Sequence, residues 1–250
     1  MSEKDKVFIR QNNLYNFPYH YLPQKINNKI FKPFLVYYWL YDYMFLINFL
    51  IKKTQSLSYD NFLDFGCGDG RFIADLKKTT KKILFGYEIS KEASLFFKAF
   101  NPEIKLINSI DELREYKNFF DVINFSEVIE HIPDEKIIEN IDVIYEILKK
   151  DGFLIITAPS ENNPVNKKHY RHYNFESLVE NFDTSKFEIV EKKFLFKSNI
   201  FKTTFRKLMF NRIFIINHNF IFKLFYYLNN AFFFSDEKNC DNIFILLKKK

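Results

Sequence analysis

The chain has two cysteines, five glycines and one tryptophan in 250 residues. Two cysteines cannot build a disulfide framework, and Cys67 stands inside a glycine-rich run, so a reducing compartment, the cytoplasm, is expected. The N-terminal MSEKDKVFIRQNN has no apolar centre, and no secretory signal is expected from it. Long unbroken apolar runs are missing too. RIFIINHNFIFKLFYYLNNAFFF is cut by Arg212, His218 and Lys223, and PFLVYYWLYDYMFLINFLIKK by Asp42 and Asn48, so neither reads as a membrane span. Acidic residues are scarce at the C-terminal end: residues 186–250 carry 13 basic and 5 acidic side chains, against 24 and 26 in residues 1–185. The positive surplus therefore lies in the last quarter, and what it meets is expected to be anionic.

What is present is a core. Apolar residues make up 47% of the chain, which excludes disorder and suits one domain over 1–250. Residues 1–30 read as a non-regular arm and 33–53 as a largely buried helix, together an N-terminal portion over 1–55. Short apolar runs then alternate with helical patterns. NFLDF, KILFGYE, IKLINS, FFDVINFS, GFLIITAPS, FEIVEKKFLF and NIFILLKK read as seven strands. Ser90 is expected to cap a helix at its start, and Gly152 to cap one at its end. This predicts an α/β fold: a Rossmann-like, doubly wound, seven-stranded, mostly parallel sheet. Its core spans 56–196 and 242–250, with a helical insert over 197–241 between strands six and seven.

Three of the five glycines fall within LDFGCGDGRF, after the first core strand. Glycine turns tightly and lets a ligand approach bare backbone. The dinucleotide pattern G-x-G-x-x-G fails, because its sixth position is Arg71, and no Gly-Lys-Ser/Thr of a phosphate loop follows. Asp64, Gly66, Gly68 and Gly70 complete D/E-x-G-x-G-x-G instead. Glu88 ends the second strand, and FDVINFSEVIEHI and HYRHYNFESL follow the fourth and fifth. With these segments, roughly residues 60–195 resemble the class I S-adenosylmethionine-dependent methyltransferases, in particular the ubiquinone-biosynthesis O-methyltransferase branch.

The resemblance implies S-adenosylmethionine as cofactor and assigns roles. Gly66, Cys67 and Gly68 would lie against its methionine part, with Gly70 completing the turn and Asp64 orienting the amino group. Glu88 would hold the ribose diol and Ile89 pack on the adenine. Ser109 and Ile110 would flank the adenine edge, although Ser109 stands where relatives often have an acid. Ser126 would line the floor under the sulfonium. Glu127, Glu130 and His131 would share one helical turn and be joined by His169, with His172 as its competitor, to form the catalytic group. A related branch, the small-RNA 2′-O-methyltransferases, uses a similar Glu-x-x-Glu-His segment to bind a divalent metal. In this chain a metal is an open option. Without one, His131 or His169, titrating near neutrality, is the expected base.

The expected reaction is methyl transfer to a hydroxyl of a small molecule or saccharide. RNA 2′-O-methylation and a non-catalytic S-adenosylmethionine-binding module are the alternatives. No separate RNA-binding module is visible. Tyr19, His20 and Tyr21 are candidates for a lid. In the insert, Phe201, Phe205, Leu208 and Met209, then Ile221, Leu224, Phe225 and Leu228, have helical spacing. Its basic residues suit an anionic acceptor or a peripheral contact with an anionic membrane surface.

Overall fold

The computed structural model describes residues 43–197 and 230–250 in full and the backbone of 24–26, 29–31 and 36–42. It also describes the single positions 7, 9, 10, 204, 208, 220, 224 and 227. Within the expected non-regular arm, β1 (Gln24–Ile26) and β2 (Lys29–Phe31) pair as a small antiparallel sheet. Tyr19, His20 and Tyr21 lie outside the described residues. Helix α1 (Val36–Gln55) follows and buries Phe45, Leu46, Ile47, Leu50 and Ile51.

The main sheet is built from β3 (Asn61–Phe65), β4 (Ile83–Tyr87), β5 (Lys105–Ile107), β6 (Phe120–Ser126), β7 (Leu148–Pro159), β8 (Phe187–Lys197), β9 (Phe234–Ser235) and β10 (Cys240–Lys249). Its order is β5-β4-β3-β6-β7-β10-β8-β9, parallel from β5 to β7 and antiparallel beyond. The seven expected strands are all present. The eighth, β9, is a two-residue edge strand inside the stretch expected to be helical. Helices α2 (Arg71–Lys77), α3 (Lys91–Phe100), α4 (Ile110–Arg114), α5 (Asp134–Ile147) and α6 (Phe175–Val179) connect the strands. In the rest of 197–241, Thr204, Leu208, Phe220, Leu224, Tyr227 and Asn230 are helical. The other positions of the two expected apolar stripes lie outside the described residues.

Apolar side chains alternate between the two faces because a strand's side-chain period is two. On β10, Ile243, Ile245 and Leu247 join one core layer with Ile137, Ile141 and Ile144 of α5. Phe244 and Leu246 join the other, with Leu50 of α1 and Phe97 of α3. Both faces are thus covered, as a parallel sheet requires. The chain winds out from β3 through β4 to β5 and returns to β6 on the other side of β3. Ligands bind at such a switch point, beyond the carboxyl ends of the strands.

Ser90 caps α3 as expected, accepting from the Ala93 N–H. The expected cap at Gly152 is not there. Helix α5 runs directly into β7, and the left-handed residue of the join is Asp151 (φ 62°). Gly152 sits inside the strand, where a Cβ would come within 2.8 Å of the Lys149 carbonyl. It is small for close backbone approach rather than for a cap.

Candidate active site

The glycine turn follows β3 directly. Gly66, Gly68 and Gly70 all take positive φ (77°, 55° and 81°), a region where a side chain is strained. Space is short as well: a Cβ on Gly66 would meet Val128 at 2.6 Å, and one on Gly70 would meet Asn101 at 2.4 Å. The turn is pinned to β4, because the N–H groups of Gly66 and Cys67 both donate to the Tyr87 carbonyl. Gly86 serves the same turn from β4; a Cβ there would lie 2.8 Å from Cys67 Sγ. Burial pushes the Cys67 thiol well up, so it stays a neutral packing group.

Two carboxyls flank this turn. Glu88 follows β4 and accepts from the Gly68 N–H (2.9 Å) and the Ser90 N–H (2.7 Å). Burial raises its pKa, and these N–H groups pull it back down. Ile89 beside it is 63% exposed, an apolar surface available to a flat ring. Asn108 donates to the Glu88 carbonyl. Ser109 accepts from Glu112 N–H as the cap of α4, which leaves its hydroxyl proton free to donate. Ile110 packs partly against the core.

Asp64 is nearly buried, in register with Gly86 on one side and Asn124 on the other. Asn124 Nδ2 donates to Asp64 Oδ1 (2.7 Å), and the Ser126 hydroxyl donates to Asn124 Oδ1 (2.6 Å). This relay crosses the switch point under the glycine turn. Asn124 was not among the sequence-derived candidates. Its signal was an amide inside the apolar run VINF.

The second group lies at the ends of β6 and β7. The single helical turn expected for Glu127, Glu130 and His131 is shorter in the structure, a 3-10 turn over Ile129–His131. Glu127 precedes it with φ 56°, and its Oε1 accepts from Thr157 Oγ1 (2.9 Å) and Asn242 Nδ2 (2.7 Å). Glu130 is 1% exposed, and its Oε2 has no hydrogen-bond partner. Ligand-type atoms of Glu130, His131 and His169 all lie within 4.8 Å of one another. The Tyr170 N–H donates to the Glu130 carbonyl, which ties this turn to the segment carrying His169. Arg171 adds to the tie by donating to the carbonyls of Ile129 and Ile132.

Burial pushes the Glu127 and Glu130 carboxyls up, and the Glu127 charge raises Glu130 further, well above the usual range. Burial also lowers His131 to about 4 and His169 to about 3. The expectation of a histidine titrating near neutrality therefore fails. Both imidazoles are held neutral by their burial.

A family model described as a methyltransferase domain matches residues 37–191, well over half of the chain. The chain belongs to that methyltransferase family. The methyltransferase domain is 25% identical over 122 residues to a ubiquinone biosynthesis O-methyltransferase of Vibrio atlanticus. That match covers 46% of this chain and 50% of the relative, so the chain spans about half the length of the curated relative. A solved SAM-dependent methyltransferase from Archaeoglobus fulgidus shares the fold at TM-score 0.57 and 17% identity, covering 86% of this chain and 100% of that one. The N-methyltransferase NodS of Bradyrhizobium japonicum, solved with S-adenosyl-L-homocysteine, does so at TM-score 0.51 and 14% identity, covering 78% and 80%. No helix among the described residues is long and apolar enough to cross a membrane.

The methyltransferase crevice carries its own pH test. Burial pushes Asp64 up to about 7, the Asn124 hydrogen bond pulls against this, and the Glu88 charge adds to it. An ammonium group placed beside Asp64 would favour the ionised form, so binding of such a ligand would expel the proton wherever Asp64 still holds one. Affinity for S-adenosylmethionine is therefore expected to rise up to about tenfold per pH unit below pH 7 and to level off above it. Calorimetry from pH 5.5 to 8 measures this directly, and a flat profile would contradict the assignment of Asp64 to the amino group.

Proposed function

We propose that the domain transfers the methyl group of S-adenosylmethionine to a hydroxyl of a small-molecule or saccharide acceptor. The observation that carries this reading is the convergence of Glu130, His131 and His169 at the strand ends beside the glycine turn. A free amine is nucleophilic without help, whereas a hydroxyl must have its proton removed or its pKa lowered. The name of the Vibrio relative supports oxygen as the methylated atom.

Glu88 would accept from the ribose hydroxyls while its bonds to Gly68 and Ser90 hold the carboxylate still. Asp64, steadied by Asn124, would receive the amino group. Gly66 to Gly68 would supply bare backbone along the methionine part. Ser126, whose hydroxyl is turned to Asn124, would lie under the sulfonium. The transfer itself is an in-line displacement, so these residues act mainly by alignment.

The residues at the acceptor end fit a divalent cation. Glu130 offers a buried oxygen with no partner, and two neutral imidazoles stand beside it. One carboxylate and two imidazoles suit a borderline metal such as Mn²⁺. Such a cation would lower the pKa of a bound hydroxyl, so no strong protein base would be required. The basic surplus of residues 186–250 supports an anionic acceptor, or an anionic lipid surface that presents one.

Chelation is expected to cut transfer at least about 100-fold, with Mn²⁺ restoring it. The measurement is transfer of a ¹³C-methyl group to a panel of catechols and saccharides, read by NMR, which separates O-methyl from N-methyl products. Full activity after chelation would remove the cation, and N-methyl products alone would remove the hydroxyl acceptor.

A further inference from the structure

His172 stands outside the three converging groups, yet it touches one of them, His169, and fixes its chemistry. Its Nδ1 lies 2.9 Å from the Asn163 carbonyl. A carbonyl can only accept, so His172 carries a proton on Nδ1, and in this tautomer its Nε2 bears a lone pair. That Nε2 lies 2.8 Å from His169 Nδ1. His169 must therefore donate from Nδ1, which leaves its own Nε2 unprotonated. His131 is set the same way by a different carbonyl, with its Nδ1 2.9 Å from Lys168 O. The two rings meet edge to face, with centroids 4.7 Å apart. Both imidazoles thus carry their lone pairs on Nε2, and that of His131 lies 3.7 Å from Glu130 Oε1.

We infer that His172 is a positioning residue: through the Asn163–His172–His169 hydrogen-bond chain it locks His169 in the Nδ1–H form, which keeps the lone pair on Nε2 for a cation. The inference rests on the cation reading of the site above. Asn166 explains why a lock is needed. Its Oδ1 accepts from the Lys168 N–H, which turns its Nδ2 toward His169, 3.1 Å from Nδ1 and 3.0 Å from Nε2. That amide can donate to whichever ring nitrogen is bare: in the native protein this is Nε2, where a cation would displace it. With His172 removed, it would satisfy Nδ1 and the ring proton would move to Nε2, which blocks the ligand position.

The test compares His172→Leu, which lacks the acceptor, with His172→Gln, whose side-chain oxygen can replace Nε2. In the metal-free native protein, long-range ¹H–¹⁵N spectra of the imidazoles should show His131 and His169 both protonated on Nδ1. His172→Leu should shift His169 to the Nε2–H form and weaken Mn²⁺ binding about 10–100-fold, while His131 keeps its form. His172→Gln should restore both readouts. Native His169 protonated on Nε2, or a Leu variant with unchanged tautomer and unchanged Mn²⁺ affinity, would overturn the inference. A native protein that binds no Mn²⁺ would defeat the cation reading, and the tautomer spectra would still decide the hydrogen-bond chain.

Discussion

Replacing Glu88 with Ala is expected to weaken S-adenosylmethionine binding by at least about 100-fold, with little change in thermal stability. The carboxylate already accepts from two backbone N–H groups, at 2.9 and 2.7 Å, and it can accept from two more donors. Charge-assisted bonds are worth about 1.5–3 kcal/mol each, and each 1.4 kcal/mol is a factor of ten in affinity. Losing both bonds to a ribose diol therefore corresponds to about two to four decades. The variant also frees the Gly68 N–H, so part of the loss would come from a loosened glycine turn. Stability should change little, because burial already disfavours the charged carboxylate and Ala relieves that penalty. Glu88→Gln keeps one acceptor and should fall between. Calorimetry with S-adenosylmethionine and with its demethylated product would measure the series. Equal affinities for native and Ala proteins would remove Glu88 from the cofactor site.

The parts of this site that could be read from sequence are those where backbone geometry dictates residue type. Three glycines in five residues could be placed because each needs positive φ, and all three have it. The fourth glycine at the turn, Gly86, was missed because its reason is tertiary: it makes room for Cys67 and Phe97. A lone glycine among the apolar residues of ILFGY was nevertheless a signal of close approach. Asn124 was missed for a similar reason, since its partner Asp64 lies 60 positions away. The seven strands were legible from alternating composition, whereas β9 is too short for any pattern. Gly152 was read as a helix cap because glycine so often is one, but Asp151 took the left-handed position instead. The histidines were misjudged through their ordinary pKa. Sequence shows the side chain and not its burial, and here burial decides.

Glu130→Gln is expected to separate stability from activity in opposite directions. Glu130 is almost fully buried, one of its oxygens has no partner, and the Glu127 charge opposes its ionisation. An unsatisfied buried polar atom costs about 1–3 kcal/mol. Gln has nearly the same shape, carries no charge, and places an amide donor where the bare imidazole nitrogens can accept. The variant should therefore unfold at a temperature about 2–12 °C higher, given about 2–4 °C per kcal/mol for a chain of this size. The same change removes the only carboxylate of the converging set, so methyl transfer should fall about 100- to 1000-fold. Binding of S-adenosylmethionine should be untouched, since Glu130 takes no part in the contacts around Glu88 and Asp64. A residue kept for packing alone would show the reverse: Gln would be neutral or destabilising, and turnover would follow stability. Calorimetric unfolding, cofactor affinity and single-turnover transfer on the same preparation distinguish the two. A Gln variant that is both less stable and fully active would show that Glu130 is structural and that the acceptor site lies elsewhere.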